Sequence, residues 1–175
     1  ELIEEFHAHG MTTFVVTNGT NPEVIRAIRP TQLYISLNAP EESIYKKIAH
    51  ADYWDCIIQS LEELRNKRVR TVVRITCIEG LNMENPEGYA ALLQMAKPDF
   101  IEVKAYMHIG YSRMRLPRTA MPTASRVRDF ATEITAYLAE SEYRVVEESE
   151  ISRVVLISCR DRSYFPLHDL SHTEG

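Results

Sequence analysis

Four stretches of this chain have strand character, at residues 12–18, 32–39, 71–78 and 100–106, and helical patterns separate them. Strands joined through helices form βαβ units, whose strands lie parallel in one sheet. An open parallel sheet is covered on both faces, so its strands read as unbroken apolar runs. Three of these four do not. Side chains alternate along a strand, so Tyr34, Ser36 and Asn38 share one face while Leu33, Ile35 and Leu37 take the other. Arg74 and Thr76 oppose Val73, Ile75 and Cys77 in the same way, and Glu102, Lys104 and Tyr106 oppose Ile101, Val103 and Ala105. An antiparallel sheet with one wet face would alternate too, but the intervening helices count against it. The pattern therefore predicts an α/β fold in the form of a partial (β/α) barrel, its curved parallel sheet backed by helices and lining a polar cavity. In such barrels the chemistry sits at the C-terminal strand ends. Four βα strands cannot close a barrel, so a strand or two is expected before Glu1.

The helices carry their own signals. "ELIEEFHAHG" is amphipathic and closed by Gly10. Asn21-Pro22 and Asn85-Pro86 each put an N-cap before a proline at the first helical position. Trp54, Ile57, Ile58, Leu61 and Leu64 keep helical spacing, as do Val127, Phe130, Ala131, Ile134 and Leu138. Two short strands near residues 143–147 and 153–158 finish the fold. The reading assigns residues 1–160 to the C-terminal part of a barrel domain and 161–175 to a polar tail. With 175 residues, 45% of them apolar, the chain suffices for one real core. No apolar run reaches transmembrane length and no signal-peptide pattern is visible, so a cytoplasmic protein without a membrane partner is expected. Cys56, Cys77 and Cys159 are scattered, with no C-x-x-C, and read as structural. His168 and His172 stand four residues apart in the tail, where no metal role is assigned to them.

Charge is uneven. The net charge of −5 argues against a wholly basic nucleic-acid binder, yet residues 103–128 hold six Lys/Arg and no acid. Arg113, Arg115 and Arg118 follow Gly110, with Tyr106, His108 and Tyr111 interleaved. Arginines among aromatics suit phosphate contacts and base stacking on unpaired RNA.

Six segments in order, "TNGTNPEVI", "LYISLNAPEESIYKKI", "TVVRITCIEGLN", "PEGYA", "KPDFIEVKAYMHIGYSRMRL" and "ESEISRVVLIS", resemble the radical S-adenosylmethionine (SAM) enzymes that make 4-demethylwyosine, in the archaeal-type form without a flavodoxin domain. The resemblance runs over nearly all of residues 1–160. Its most specific piece is "IEVKAYMHIGYSR"; "TNGT" is common to many radical-SAM proteins, and "IAHADYW" departs from the Arg-Pro pair usual in the family.

The resemblance implies a SAM-dependent enzyme of the lyase class with a 4Fe-4S cluster and an external electron donor. Such enzymes condense N1-methylguanosine of tRNA-Phe with carbons of pyruvate to build the tricyclic base. The cysteines that hold the clusters in that family are absent here, so the parent protein is the expected enzyme and this chain alone is expected to be inactive. By resemblance Thr17, Asn18, Ser36, Asn38, Arg74, Thr76 and Asn82 approach SAM. From the residues alone, Thr17 and Asn18 fit turn chemistry equally well. Arg74 needs an anion, either the SAM carboxylate or Glu102. Lys104 is read as the amine that meets the keto carbon of pyruvate, with Glu102 orienting it or shuttling its proton; a structural Glu–Lys pair is the competing reading. Tyr106, His108, Tyr111, Arg113, Arg115 and Arg118 are read as tRNA contacts. Two other functions fit parts of the pattern: a Schiff-base aldolase-like barrel, and a non-catalytic RNA-binding module.

Overall fold

The structure, a computed structural model, describes residues 1–161. In chain order its elements are α1 (Leu2–Ala8), β1 (Phe14–Thr17), α2 (Pro22–Ala27), β2 (Gln32–Ser36), α3 (Glu42–Ala49), α4 (Trp54–Leu64), β3 (Arg70–Cys77), α5 (Pro86–Ala96), β4 (Phe100–Ala105), α6 (Ala124–Tyr137), β5 (Arg144–Ser149) and β6 (Val154–Ser158). The six strands form one sheet in the order β1-β2-β3-β4-β6-β5.

Strands β1 to β4 run parallel, as βα units require. The last two strands, whose direction the sequence left open, join in antiparallel pairings: β6 is antiparallel to β4 and β5 is antiparallel to β6. Only four residues separate β5 from β6, too few for a crossover, so the chain turns back as a hairpin with Arg153 at φ 51°. The sheet is mixed.

Caps place the helix starts. The Asn21 carboxamide oxygen accepts from Val24 N–H at 3.2 Å, and that of Asn85 from Gly88 N–H at 2.8 Å. Thr123 Oγ1 does the same for Arg126 N–H at 3.2 Å. Each satisfies one of the orphan donors of a first turn.

The core lies between the sheet and its helices. Leu33, Ile35, Leu37, Val73, Ile75, Cys77, Ile101, Val103, Ala105, Val155 and Ile157 meet Ile25, Ile57, Leu61, Leu93, Phe130 and Ile134 in one buried cluster. Within it Tyr89 and Phe130 stack edge to face at 5.7 Å. At the N-terminal ends of the strands a polar clasp fixes the hairpin. Asp99 accepts from Thr71 N–H at 2.8 Å and from Arg160 Nε at 2.6 Å, while Ser158 Oγ donates to the Asp99 carbonyl at 2.7 Å. The opposite face of the sheet carries the polar set.

Candidate cofactor and substrate cavity

In register across the strands, Ser36 lies beside Arg74, Arg74 beside Glu102, and Thr76 beside Lys104. All five are half-buried. Arg74 donates to both Glu102 oxygens, at 2.8 and 3.2 Å, and lies 4.6 Å over the Tyr34 ring. Of the two anions open to Arg74 in the sequence, the structure supplies Glu102. The Tyr34 phenol is pushed above its ordinary value by burial first and the Glu102 carboxylate second. Glu102, engaged by Arg74, makes no ion pair with Lys104. Among the described residues Ser36, Thr76 and Lys104 keep their side-chain polar groups without hydrogen bonds.

Toward the C-terminal strand ends the residues read as SAM contacts divide. Thr17 pairs in register with Ile35, which places it on the helix-covered side, and its Oγ1 accepts from Gly19 N–H at 3.2 Å. Gly19 is at φ 75°, and a Cβ there would lie 3.1 Å from Ile35 Cγ2. The Thr-Asn-Gly turn thus needs its glycine, and Thr17 builds the turn instead of facing the cavity. Asn18 Oδ1 accepts from Thr20 Oγ1 at 2.9 Å and leaves its amide hydrogens free. Asn38 Oδ1 accepts from Thr76 N–H at 3.2 Å. Asn82 is fully buried and spends its whole amide on backbone: Oδ1 accepts from Ile78 N–H at 2.7 Å, and Nδ2 donates to the Asn38 and Thr76 carbonyls, each at 2.9 Å. No hydrogen of Asn82 is left for a ligand. It braces the ends of β2 and β3 where a cofactor contact was expected.

Sequence reasoning missed a cavity of about 210 Å³ nearer the N-terminal strand ends, lined by Gln32, Tyr34, Arg70, Val72, Phe100, Glu147 and Leu156. Gln32 Nε2 donates to the Tyr34 hydroxyl at 2.9 Å, and the Arg70 guanidinium lies 5.5 Å from the Phe100 ring centre. These residues come together through strand register, and no motif marks them.

The basic loop between β4 and α6 also sorts its residues. Tyr106 is 7% exposed, and its hydroxyl donates to the Ser112 carbonyl at 2.9 Å, with His108 Nδ1 3.2 Å away. The expected RNA-stacking role of Tyr106 is therefore corrected: β4 ends at Ala105, the chain turns, and the ring is buried as the loop's anchor. Arg126 pairs with Glu79 and Glu133, and Arg128 pairs with Glu148 at 2.6 Å. Arg113, Arg115 and Arg118 are exposed and have no partner among the described residues. His108 is half-buried and Tyr111 exposed.

No three His, Cys, Asp or Glu side chains converge as metal ligands among the described residues, and no helix there is long and apolar enough to cross a membrane. Cys56 lies on α4, Cys159 follows β6, and Cys77 sits in the core, where burial pushes its thiol up to about 12. Such separated, partly masked thiols do not fit an iron–sulfur cluster, which takes converging thiolates. His168 and His172 lie outside the described residues.

Four parallel βα strands with helices on one face and polar residues on the other define a class. The chain belongs to the radical SAM superfamily, whose family model matches residues 1–93; that membership implies SAM and a 4Fe-4S cluster as cofactors. A second family model, described as wyosine base formation, takes over at residues 95–159. The chain is 45% identical over 165 residues to the S-adenosyl-L-methionine-dependent tRNA 4-demethylwyosine synthase of Pyrococcus horikoshii, covering 90% of this chain and 48% of that one. It is also similar to a solved structure of TYW1 with a lysine–pyruvate adduct bound, at 37% identity and a TM-score of 0.78, over 90% of this chain and 50% of that one. Escherichia coli coproporphyrinogen III oxidase (HemN), a radical SAM enzyme, shares the fold at 17% identity, with a TM-score of 0.57 over 85% of this chain and 35% of that one. The chain spans about half the length of the curated relatives it matches.

Proposed function

We propose that residues 1–160 form the C-terminal part of a radical-SAM barrel domain in a tRNA-modifying lyase of the cytoplasm. The parent enzyme condenses N1-methylguanosine of tRNA-Phe with two carbons of pyruvate to form 4-demethylwyosine, drawing electrons from an external donor. When bound, SAM and the cluster would supply radical chemistry. Ser36, Thr76 and the free amides of Asn18 and Asn38 are the groups of this chain that fit the polar parts of SAM. The chain's cysteines do not fit the cluster, so its ligands belong to another part of the parent protein.

One observation carries the reading. The polar residues read as SAM contacts all fall in the segment matching the radical SAM model, whereas Glu102, Lys104 and the arginine loop all fall in the segment matching wyosine base formation. This division supports a reading in which substrate handling falls to β4 and the loop after it.

Lys104 is the amine on that face. Its nitrogen, once neutral, attacks the keto carbon of pyruvate, and loss of water leaves an imine that holds the substrate beside the modified base. Arg74 takes Glu102 for itself, which keeps the amine from being neutralised by its neighbour two residues back. A relative captured with a lysine–pyruvate adduct supports imine chemistry in this group of proteins. Borohydride reduction of the full-length enzyme with pyruvate, followed by peptide mass spectrometry, tests the assignment. The adduct is expected on Lys104 and should vanish in Lys104→Ala. An adduct on another lysine, unaffected by that change, reduces this strand to a wall of the cavity.

A further inference from the structure

The loop after β4 displays more than its charge. Ile109, Tyr111 and Met114 are 62%, 80% and 80% exposed. The small apolar cluster beneath the loop is formed by Ile78, Tyr106 and Ala120 with Ile48, Leu81, Leu116 and Met121, and the three exposed residues take no part in it. Gly110–Met114 is a 3-10 turn, and side chains three apart in such a turn eclipse each other, so Tyr111 and Met114 stand on one side of it.

The base of this display is held. Tyr106 donates to the Ser112 carbonyl, Ile109 N–H donates to Ser112 Oγ at 3.1 Å, and Ser112 Oγ lies 2.8 Å from the Met107 carbonyl. Large apolar side chains displayed together on a pinned loop are the kind of surface that a partner covers. Arg113, Arg115 and Arg118, exposed and without acidic neighbours, stand among and just after them. A partner that offers anions and apolar faces together is a nucleic acid whose bases are unstacked.

Position narrows the role. The loop continues directly from β4, and Ile109 follows Lys104 by five residues. A base stacked in an RNA loop does not reach an amine such as Lys104 on the inner sheet face; it must first leave the stack, and an inserted apolar side chain fills the gap that it leaves. We propose that Ile109, Tyr111 and Met114 form a wedge that enters a single-stranded RNA loop beside the nucleotide drawn toward Lys104, while Arg113, Arg115 and Arg118 grip the flanking phosphates. The wedge rests on the reading of this protein as a tRNA-modifying enzyme.

The test uses the full-length enzyme and an anticodon stem-loop RNA with 2-aminopurine at the target purine, whose fluorescence rises when it unstacks. Wild-type enzyme should raise the signal several-fold. Tyr111→Ala should weaken binding about tenfold, as loss of one base–aromatic stack does, and the Ile109→Ala/Tyr111→Ala/Met114→Ala variant should also abolish the rise. Tyr111→Phe, which keeps the ring, should retain both binding and the rise. The arginine triple variant should lower affinity and the salt slope by up to about one unit per lost contact. Salt-dependent binding with wild-type affinity and fluorescence in the apolar variant overturns the wedge and leaves the RNA reading standing. Failure of the wild-type enzyme to bind the RNA overturns both. The apolar residues are exposed, so their variants should keep the wild-type melting temperature, which separates a lost contact from a lost fold.

Discussion

Arg74 and Glu102 show what a charged residue on an inner strand face demands. A cation there is costly unless an anion meets it with good geometry, and the cross-strand register supplies that anion two-pronged, with the Tyr34 ring beneath. Removing one member leaves the other exposed to the full cost. Glu102→Gln should therefore destabilise the fold by about 2 kcal/mol, in the range for a charge-assisted bond removed from one side. In an Arg74→Met background the same change should cost well under half of that, since no cation remains to be stranded. Urea denaturation of the four proteins in this cycle decides it; equal costs in both backgrounds would mean that the pair contributes nothing as a pair. The alternation of polar and apolar residues made this face readable in the sequence. It did not make Tyr106 readable, because the alternation continues one residue beyond the strand while the backbone does not. Thr17 and Asn82 failed for a related reason: short polar side chains at strand ends serve the backbone first, and which carbonyl or N–H they meet depends on turns that spacing does not encode.

Helix α2 ends in a similar bargain between backbone and side chain. The Lys67 amine, at the far end of the α4 segment, donates to the Arg26 and Ile28 carbonyls at 2.9 and 3.0 Å. Burial first and Arg29 second bring Lys67 down to about 8 from an ordinary 10.5, while Glu63 opposes. Between those two values the unfolded chain holds a proton that the folded chain has released. Stability contributed by this residue therefore rises with pH across that window and is constant below it. The stability of the wild type relative to Lys67→Met should increase from pH 8 to pH 10.5 in denaturation experiments. A difference that stays flat, or shrinks, would mean that the ammonium is as well solvated in the fold as outside it. At the scale of elements the sequence was informative: Asn-Pro starts, helical stripes and the four parallel strands all appear where the residues put them. The hairpin's direction was not, since two short strands carry no sign of whether they return parallel or antiparallel. The cavity over Phe100 was hidden too, being assembled from strand starts that lie far apart in the chain.

As a whole molecule the chain is a one-sided sheet. Its β1 edge exposes Phe14 and Val16, at 51% and 57%, and α1 buries none of its residues. Among the described residues, neither the edge nor the polar face brings cysteines together for a cluster. We expect the 175-residue chain alone to assemble no 4Fe-4S cluster and to leave SAM intact. Anaerobic reconstitution, with iron counted per chain and 5′-deoxyadenosine measured, checks this; stoichiometric iron with product would show that Cys56, Cys77 and Cys159 do more than their separation allows.

The Arg74–Glu102 bond has a consequence for descent. Arg74 falls in the segment common to a large superfamily, and Glu102 in the segment particular to one chemistry. The two segments meet within α5, yet this bond stitches them together across the sheet. A recombinant that kept the first segment and took its second from a distant cousin would inherit a stranded guanidinium unless the newcomer brought an acid to the same register. Lineages should therefore change these two positions together or not at all, and a hybrid made by cutting at α5 should regain its fold when that one carboxylate is restored.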